Sequence, residues 1–397
     1  MRYELLKNVA VLYDSLHQTP KYTDSGYPMI RVKDLSEGFL DISKAVYVDK
    51  NDYDKFSKKY KPSKGDIIFS RVGSYGISSY VDDNIVFCLG QNTVVISTNT
   101  IYSRYLYYLM ISPIIKNQIE EKVGGSTQKT ISLKSIGEFK LPIPSYESQI
   151  AIGDFLYRID KKIELNNQMI ATLEELAATL FKRWFVDFEF PDENGNPYKS
   201  SGGKMVDSEL GEIPEGWEVA TIGNLMVNFD RKRIPLSKME RSKRQGEYPY
   251  YGAASLMDHV DDYLFDGTYL LLGEDGTVST SEGYPILQYV YGKFWVNNHA
   301  HVLQGKRELG ISTEWLKLWF SFQNISSIIT GAVQPKISQK NLNSLCAVKP
   351  KLQVLNQFNS VISPKYEHIR EVESENYNLE KLRDLLLPKL LSGEVEI

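Results

Sequence analysis

The sequence predicts an α+β protein in which two similar globular α/β domains are separated by two long antiparallel helices that form an intramolecular coiled coil. Three observations favour this class. A long amphipathic stretch lies near the middle of the chain, a second one lies at its C-terminal end, and each follows a copy of the same repeated segment. That order, domain, helix, domain, helix, predicts a pseudo-two-fold relation between the halves.

Length and composition agree with a multidomain globular protein. The chain has 397 residues, of which 42% are hydrophobic and 24% are charged, so two or three domains are expected. Cys88 and Cys346 have no metal-type spacing, which favours a reducing compartment. Because no run of eighteen apolar residues and no cleavable leader is found, we expect a cytoplasmic protein without a membrane partner. The net charge of −4 argues against a wholly basic nucleic-acid binder but permits local basic patches.

The first globular domain is predicted to span residues 1–144. Short apolar runs bounded by turn residues indicate strands, and a longer periodic run indicates a helical segment that Pro113 interrupts. The predicted strands are 65–71, 84–89 and 92–97, and the helical segment is 103–123.

The central helix is predicted over residues 145–190. Its apolar residues recur in alternating steps of four and three, which is the pattern of a helix that packs against another helix. Asn166 occupies one such position and is expected to fix the register of the pair. Some forty helical residues would span about 60 Å, more than the width of a small domain. The predicted pairing residues are Ile152, Leu156, Ile159, Ile163, Ile170, Leu173 and Leu180.

The remaining chain follows the same order. Residues 191–210 are polar and contain glycine and proline, so a linker is expected there. The second domain is predicted over 211–350 and the C-terminal helix over 351–397, with Pro364 expected to delay the start of that helix. Within these segments the predictions are strands at 268–273 and 299–304, a helix at 313–323, and pairing residues Ile362, Ile369, Leu379 and Leu386.

An internal repeat supports this arrangement. GGSTQKTISLKSIG from Gly124 matches TGAVQPKISQKNLN from Thr330, with Gly125 aligned to Gly331 at a shift of 331 − 125 = 206 residues. Upstream of Gly124 the copies align only loosely. Two similar domains at the ends of a rod of about 60 Å would suit two half-sites separated along a DNA duplex, whose helical turn measures roughly 34–36 Å.

Known catalytic motifs are absent from the sequence. It has no phosphate-binding loop of the G-x-x-x-x-G-K-[ST] type and no H-E-x-x-H metal motif. His299 and His301 have the spacing of a possible metal pair on a strand. Since no third ligand is evident, packing or hydrogen bonding is the favoured interpretation, and no catalytic or metal-binding residue is predicted.

Cationic residues are concentrated between positions 231 and 244. Cations that follow a phosphate backbone supply sequence-independent affinity for nucleic acid, whereas a solvated loop is the equally weighted alternative. A smaller basic run in the first half favours the solvated alternative somewhat. The candidate backbone-contacting residues are Arg231, Lys232, Arg233, Lys238, Arg241, Lys243 and Arg244, together with Lys58 and Lys59.

Polar residues in glycine-containing loops are candidates for base contacts. The repeated G-x-x-Q-x-x-I-S segment places Gln128 and Gln334 at matching positions, and a carboxamide can make paired hydrogen bonds to adenine. The alternative is that both segments simply shape a turn. Further candidates are Ser70, Arg71, Ser74, Tyr75, Gln91 and Asn92.

Several segments resemble those of the specificity subunit of a type I restriction-modification enzyme. The stretch LPIPSYESQIAIGDFLYRIDKKIELNNQ resembles the central region of that family, and DSELGEIPEGWEV resembles the entry to its second target-recognition domain. VNNHAHVL, GAVQPKIS and LRDLLLPKLLSGEV are also similar to family segments, so the resemblance covers nearly the whole chain.

The resemblance implies a non-catalytic subunit that binds double-stranded DNA at a bipartite target. It implies partners as well: two modification subunits docked on the helices and, through them, restriction subunits. S-adenosylmethionine, ATP and Mg²⁺ are then expected on those partners, with no cofactor in this chain. The alternatives are a DNA methyltransferase or nuclease that acts alone, and a protein-interaction scaffold that binds no DNA.

Overall fold

The computed structural model describes residues 2–124, 129–331 and 333–397 and has the predicted mixed α/β class. Its contacts divide the chain into two compact units. The first comprises Met1–Asn167 and Ser374–Ile397, and the second comprises Gln168–Glu373. Both boundaries fall inside long helices, so each unit contains a globular domain and a helical portion.

The first domain is built on a five-stranded sheet with the order β2-β10-β7-β8-β5 and a four-stranded sheet with the order β3-β6-β4-β9. The helix α3 is buried from Tyr105 to Ile111 and forms part of the core beside the larger sheet. The strands are β1 (Arg2–Leu5), β2 (Val11–Asp14), β3 (Tyr22–Thr23), β4 (Tyr27–Ile30), β5 (Gly38–Phe39), β6 (Val46–Val48), β7 (Ile67–Ser70), β8 (Ser78–Tyr80), β9 (Cys88–Leu89), β10 (Thr93–Ser97) and β11 (Lys140–Ile143). The helices are α1 (Leu6–Val9), α2 (Lys50–Phe56), α3 (Ser103–Ile111), α4 (Pro113–Lys122), α5 (Leu133–Gly137) and α6 (Tyr146–Phe181).

The second domain has two four-stranded sheets, with the orders β15-β22-β19-β20 and β17-β16-β21-β18. The strands are β12 (Met205–Ser208), β13 (Gly211–Pro214), β14 (Glu218–Thr221), β15 (Met226–Asn228), β16 (Gln245–Tyr251), β17 (Leu256–Val260), β18 (Phe265–Asp266), β19 (Tyr269–Gly273), β20 (Leu287–Val290), β21 (Lys293–Val296), β22 (Ala300–Gly305), β23 (Ile329–Thr330), β24 (Lys336–Ile337) and β25 (Cys346–Lys349). The helices are α7 (Ile222–Leu225), α8 (Lys238–Lys243), α9 (Thr313–Ser321), α10 (Gln339–Asn343) and α11 (Leu352–Ser392).

Most of the predicted elements are confirmed. Strands β7, β10, β19 and β22 lie in the predicted runs, and Pro113 begins α4, where its missing N–H costs no hydrogen bond. The predicted strand 84–89 is reduced to Cys88–Leu89. The late start expected from Pro364 is wrong, because α11 begins at Leu352 and continues through that proline.

The repeat extends further upstream in the structure than in the sequence. Strand β1 pairs with β11 and is followed by α1 and β2, and β14 pairs with β25 and is followed by α7 and β15. Arg2 faces Ile143 in the first pair, and Glu218 faces Lys349 in the second. Arg2 in the first domain therefore occupies the position of Glu218 in the second.

In the first unit the N-terminal half of α6 packs antiparallel to the end of α11. Ile152 and Leu156 share a core with the leucines of the last turns of α11, while Ile159 and Ile163 are also buried. Asp160 accepts a hydrogen bond from Arg383 at 2.8 Å and Asn166 donates one to Asn376, so positions rise along one helix as they fall along the other. Leu379 and Leu386 are partly buried, and Leu386 packs against the core to which Leu387, Leu390 and Leu391 contribute at this end.

In the second unit the pairing is aromatic. Phe181, Trp184 and Phe185 surround Phe358, with ring centroids between 4.8 and 6.0 Å apart. The residues from Lys182 to Val186 form a π-helical turn at the end of α6. Ile362 and Ile369 are buried in the same core, against which Ile170, Leu173 and Leu180 pack while partly exposed.

The predicted linker at 191–210 makes ordered contacts. The ring of Phe190 stacks on Tyr198 at 4.6 Å and on Trp217 at 5.0 Å, and β12 forms a hairpin with β13. Tyr198, an aromatic residue in this mostly polar segment, stacks on Phe190, which in turn stacks on Trp217 of the second domain. The segment is therefore packed on the second domain.

Candidate nucleic-acid interface

Three segments that the sequence singled out meet in the first domain. The N–H of Arg71 donates to the carbonyl of Asn92 at 2.9 Å, and the N–H of Ile131 donates to the carbonyl of Arg71 at 3.0 Å. Val72 and Thr130 form an isolated bridge beside these bonds. The loop after β7, the turn before β10 and the repeated glutamine-containing segment are thus joined, and we call this arrangement the junction.

The second domain contains the same junction. The N–H of Glu274 donates to the carbonyl of His299 at 2.8 Å, the N–H of Ile337 donates to the carbonyl of Glu274 at 2.8 Å, and Asp275 forms an isolated bridge with Lys336. Glu274 therefore occupies the position of Arg71. One backbone frame is built twice, with residues of opposite charge at its centre.

Side chains close the first junction by an ion pair. The Arg71 guanidinium lies 2.6 Å from Asp14 and donates from Nε to the carbonyl of Ile131 at 3.2 Å, and the side chain is 13% exposed. Such charge-assisted hydrogen bonds have defined geometry. The prediction that Arg71 reads bases is therefore corrected, because its guanidinium is committed within the protein.

The second junction is closed by a larger charge cluster. Arg233 donates to Glu274 at 2.6 Å and to the carbonyl of Ala300 at 2.6 Å. The buried His301 ring contacts Asp230 through Nδ1 at 2.6 Å and the carbonyl of Ile337 through Nε2 at 2.9 Å. Contacts at both ring nitrogens hold the His301 imidazole in a single orientation. Arg233 is thereby corrected from a phosphate contact to a structural residue.

His301 of this cluster is one of the two histidines with the spacing of a metal pair in the sequence. Asp230, Glu274 and His301 offer atoms within 4.8 Å of one another, as a metal site would. However, the Arg233 guanidinium bonds Glu274, and His301 uses both nitrogens. Burial raises the pKa of Asp230, but hydrogen bonds led by the one from His301 outweigh it and lower that pKa below its ordinary value. The polar atoms of these three residues are therefore engaged in ion pairs and hydrogen bonds within the protein, which is the kind of role that the sequence favoured for His301.

The other base-reading candidates differ in accessibility. Ser70 is fully buried and its hydroxyl donates to the carbonyl of Ser74 at 2.6 Å, so Ser70 is excluded from base contact. Ser74 is exposed, and the Tyr75 hydroxyl donates to Glu120 at 3.0 Å. Gln334 is exposed in a turn that Gly331 enters with φ of 90°, a conformation that suits glycine. Gln128 lies outside the described residues.

Gln91 and Asn92 line a cleft of about 320 Å³ beside the first junction, whose lining is polar and apolar in about equal parts. Arg31 and Lys33, from the segment after β4, also line it, as do Gln18 and Thr19. This cleft places carboxamides next to cations.

The basic segment of the second domain divides into two classes. Arg241 is bonded to Asp258 and to the carbonyl of Leu236, and Arg244 is bonded to Asp261, so both are held by the protein. The remaining members are exposed and form no ion pair among the described residues: Arg231, Lys232, Lys238 and Lys243. Lys58 and Lys59 are also exposed, but they follow α2 and do not line the cleft.

Sequence reasoning missed Lys33 and Asn298. Lys33 is a single cation in the short segment RVKDL, where no local pattern distinguishes it. Asn298 is exposed beside the second junction, and it precedes His299 as Gln91 precedes Asn92, because the carbonyls of His299 and Asn92 accept the equivalent junction bonds. The copies align only loosely upstream of Gly124, so the sequence did not show this correspondence.

Comparisons with known proteins agree with this architecture. The model of the family described as "Type I restriction modification DNA specificity domain" matches residues 13–175 and 214–371. The type I restriction enzyme MjaIX specificity subunit of Methanocaldococcus jannaschii is 24% identical over 402 residues, covering 95% of this chain and 88% of that protein. The HindI specificity subunit of Haemophilus influenzae is 23% identical over 411 residues, covering 84% of this chain and 87% of its own.

One solved structure matches the fold over nearly its full length. The type I restriction-modification S subunit from M. genitalium has a TM-score of 0.61 at 17% identity, covering 98% of this chain and 95% of that one. Within the described part of the chain, no helix is both long and apolar enough to cross a bilayer.

Proposed function

Because this chain belongs to the family of type I restriction-modification DNA specificity domains, we propose that it binds double-stranded DNA at a bipartite target, each domain reading one half-site. Its relatives are specificity subunits, which are the non-catalytic DNA-recognition subunits of type I restriction-modification complexes. The stand-alone methyltransferase or nuclease alternative is therefore set aside. Action on DNA also accords with a cytoplasmic location.

The observation that carries this proposal is the duplicated junction. Both domains use the same backbone hydrogen bonds, yet Arg71 stands in one where Glu274 stands in the other. The turns beside this shared frame carry different polar residues, Gln91 and Asn92 in the first domain and Asn298 and His299 in the second, which suits two domains that read different sequences in the same manner. The exposed cations of the basic segment would contribute contacts to phosphate, which are independent of sequence.

The helices α6 and α11 would set the unspecified spacer and dock the partners. Both helices carry exposed apolar side chains, and binding of a partner would remove their apolar surface from water. Examples are Leu165 at 51%, Leu176 at 42%, Leu382 at 42% and Leu385 at 58% exposed. These helices would bind two modification subunits and, through them, restriction subunits.

The cofactors of the reaction would lie on those partners. Methylation of DNA would require S-adenosylmethionine on the modification subunits, and restriction would require ATP and Mg²⁺ on the restriction subunits. This chain would then supply target choice alone.

The test is selection of bound duplexes from a randomised pool. The chain is reconstituted with its modification subunits, and bound DNA is sequenced. We expect two short motifs separated by a spacer of fixed length, and no methylation or cleavage by the chain alone in the presence of S-adenosylmethionine, ATP and Mg²⁺. Recovery of no motif would overturn the proposal, and absence of any DNA binding by the complex would favour a protein-interaction scaffold.

A further inference from the structure

The cleft beside the first junction has a fixed backbone. The N–H of Gly90 donates to the carbonyl of Ile30 at 2.8 Å, and the Thr93 hydroxyl donates to the carbonyl of Gly90 at 2.7 Å. The carbonyl of Asn92 accepts the junction bond from Arg71. The turn that carries Gln91 and Asn92 is therefore bonded to Ile30 and Arg71, and the Thr93–Gly90 bond closes it on itself.

Asn92 has a backbone conformation that few side chains adopt. Its φ is 65°, and only one other non-glycine residue of the described chain, Phe188, has a positive φ. Asparagine tolerates this region better than most residues, but at some cost. Such costs are often retained where a side chain must be held in a particular place.

The polar groups of the cleft differ in availability. The Gln91 amide nitrogen donates to the Thr19 hydroxyl at 2.8 Å, which leaves its oxygen as an acceptor. Arg31 is bound by both its Nε and a terminal nitrogen to Asp34, at 2.8 and 2.9 Å. By contrast, the Asn92 amide and the Lys33 ammonium form no hydrogen bond or ion pair within the described residues.

We propose that this cleft receives the major-groove edge of an adenine in one half-site. The free Asn92 amide would make the paired hydrogen bonds to N6 and N7 that adenine offers, and the Gln91 oxygen would accept from an amino group of a neighbouring base. The Arg31 guanidinium, committed to Asp34, is unavailable for the corresponding contact to guanine. Lys33 would bind the adjacent phosphate. This inference rests on the proposed function and specifies its chemistry in the first domain.

The test uses Asn92 variants of the chain in complex with its modification subunits and the same randomised duplex pool. Asn92→Gly removes the amide and suits the positive φ, so the fold should be preserved. We expect loss of one adenine preference, by roughly 5- to 150-fold, in one half-site only. Asn92→Asp should instead favour cytosine at that position, because a carboxylate accepts from the cytosine amino group.

Two further variants distinguish base recognition from sequence-independent binding to DNA. Lys33→Ala should weaken binding to all sequences and lower the salt slope by about one. Asn99→Asp, on the exposed segment after the other end of β10, should leave both motifs unchanged.

The outcomes distinguish this inference from the proposed function. If the unaltered complex selects two motifs and Asn92→Gly selects the same two, the inference is overturned while the proposed function stands. Equal loss of both motifs with Asn92→Gly, at an unchanged melting temperature, would also overturn it. If the unaltered complex selects no motif, the proposed function itself fails.

Discussion

The side chain of Asn166 donates a hydrogen bond to the Asn376 oxygen at 2.8 Å across the paired helices of the first unit. Asn376 in turn donates to Asn167 at 2.9 Å, and Asn166 also donates to Glu375 at 2.8 Å. Asn166 is fully buried and Asn376 is 8% exposed. Any other register of the two helices would separate these two carboxamides and leave them buried without hydrogen-bond partners. The pair therefore favours the observed register at a cost in free energy to the alternatives.

Replacing only one member of this pair should destabilise the protein. Asn166→Leu leaves the Asn376 carboxamide buried without its donor, so the free energy of unfolding should fall by roughly 1–3 kcal/mol. Asn166→Leu combined with Asn376→Leu should instead raise the melting temperature while permitting other registers or chain-swapped dimers. Calorimetry and light scattering measure the two effects. A double variant that melts lower than either single variant would contradict the role in register.

The ion pair between Arg383 and Asp160 should matter more than an exposed pair. Asp160 has a side chain only 9% exposed and also accepts from the Tyr108 hydroxyl at 2.7 Å. Arg383→Ala leaves that carboxylate with one partner, so we expect a loss of about 3–5 kcal/mol in unfolding free energy. Lys50→Ala, which removes an exposed pair with Asp54, is the control and should cost under about 1 kcal/mol. Equal costs in urea unfolding would refute the distinction.

Two arginines two positions apart should behave oppositely. Arg231 is exposed, so Arg231→Ala should weaken binding to all DNA sequences and reduce the salt slope by about one without lowering stability. Arg233→Ala leaves Glu274, which is 14% exposed, without its closest cation, so it should cost roughly 3–5 kcal/mol of stability. Binding titrations over a range of salt, paired with thermal melts, test both. A normal melt for Arg233→Ala would contradict its structural role.

Gln334 is the accessible glutamine of the repeated segment in the second domain. If each domain reads its own half-site, as proposed, Gln334→Ala should relax base discrimination in one half-site and leave the other half-site intact. Gln339→Ala, an exposed glutamine at the start of α10, is the matched control. Selected motifs from the three complexes provide the measurement. If binding to specific and random DNA weakens equally, the base-reading role is wrong.

The cluster around Asp230 should make stability depend on acidity. The folded pKa of Asp230 is lowered, so its contribution is present above the unfolded value of about 4 and is lost as pH falls through the folded value. Urea unfolding measured from about pH 6 down to about pH 3 should show stability falling with pH. Asp230→Asn should flatten that dependence, whereas Asp262→Asn, at an exposed carboxylate, should leave it unchanged. An equal slope in all three proteins would count against the cluster.

The fold was predictable where apolar spacing was regular. The four-and-three steps from Ile152 to Leu180 indicate a paired helix, and the runs that became β7 and β10 are short, apolar and bounded by polar turns. The shortened strand at Cys88 and the early start of α11 were not predictable, because tertiary contacts decide such boundaries. Pro364 is accommodated once the surrounding helix packs.

The candidate site was predictable in its segments but not in its side chains. The loop containing Arg71, the turn containing Asn92 and the repeated segment were each identified, and the structure joins them. Their roles depended on partners far along the chain: Asp14 lies 57 residues from Arg71, and Glu274 lies 41 residues from Arg233. A local run of cations cannot reveal which members are neutralised by carboxylates contributed by other strands.

The opposite charges at the two junction centres limit which segments the two domains can exchange. Arg71 requires Asp14, whereas Glu274 requires Arg233, which comes from another segment of its own domain. If the loop that carries Glu274 replaced the loop that carries Arg71, the Glu274 carboxylate would face Asp14. The reverse exchange would place the Arg71 guanidinium opposite Arg233. Productive exchange between related genes should therefore transfer whole domains, with crossovers in the helices or near their ends, and grafted single loops should fold poorly.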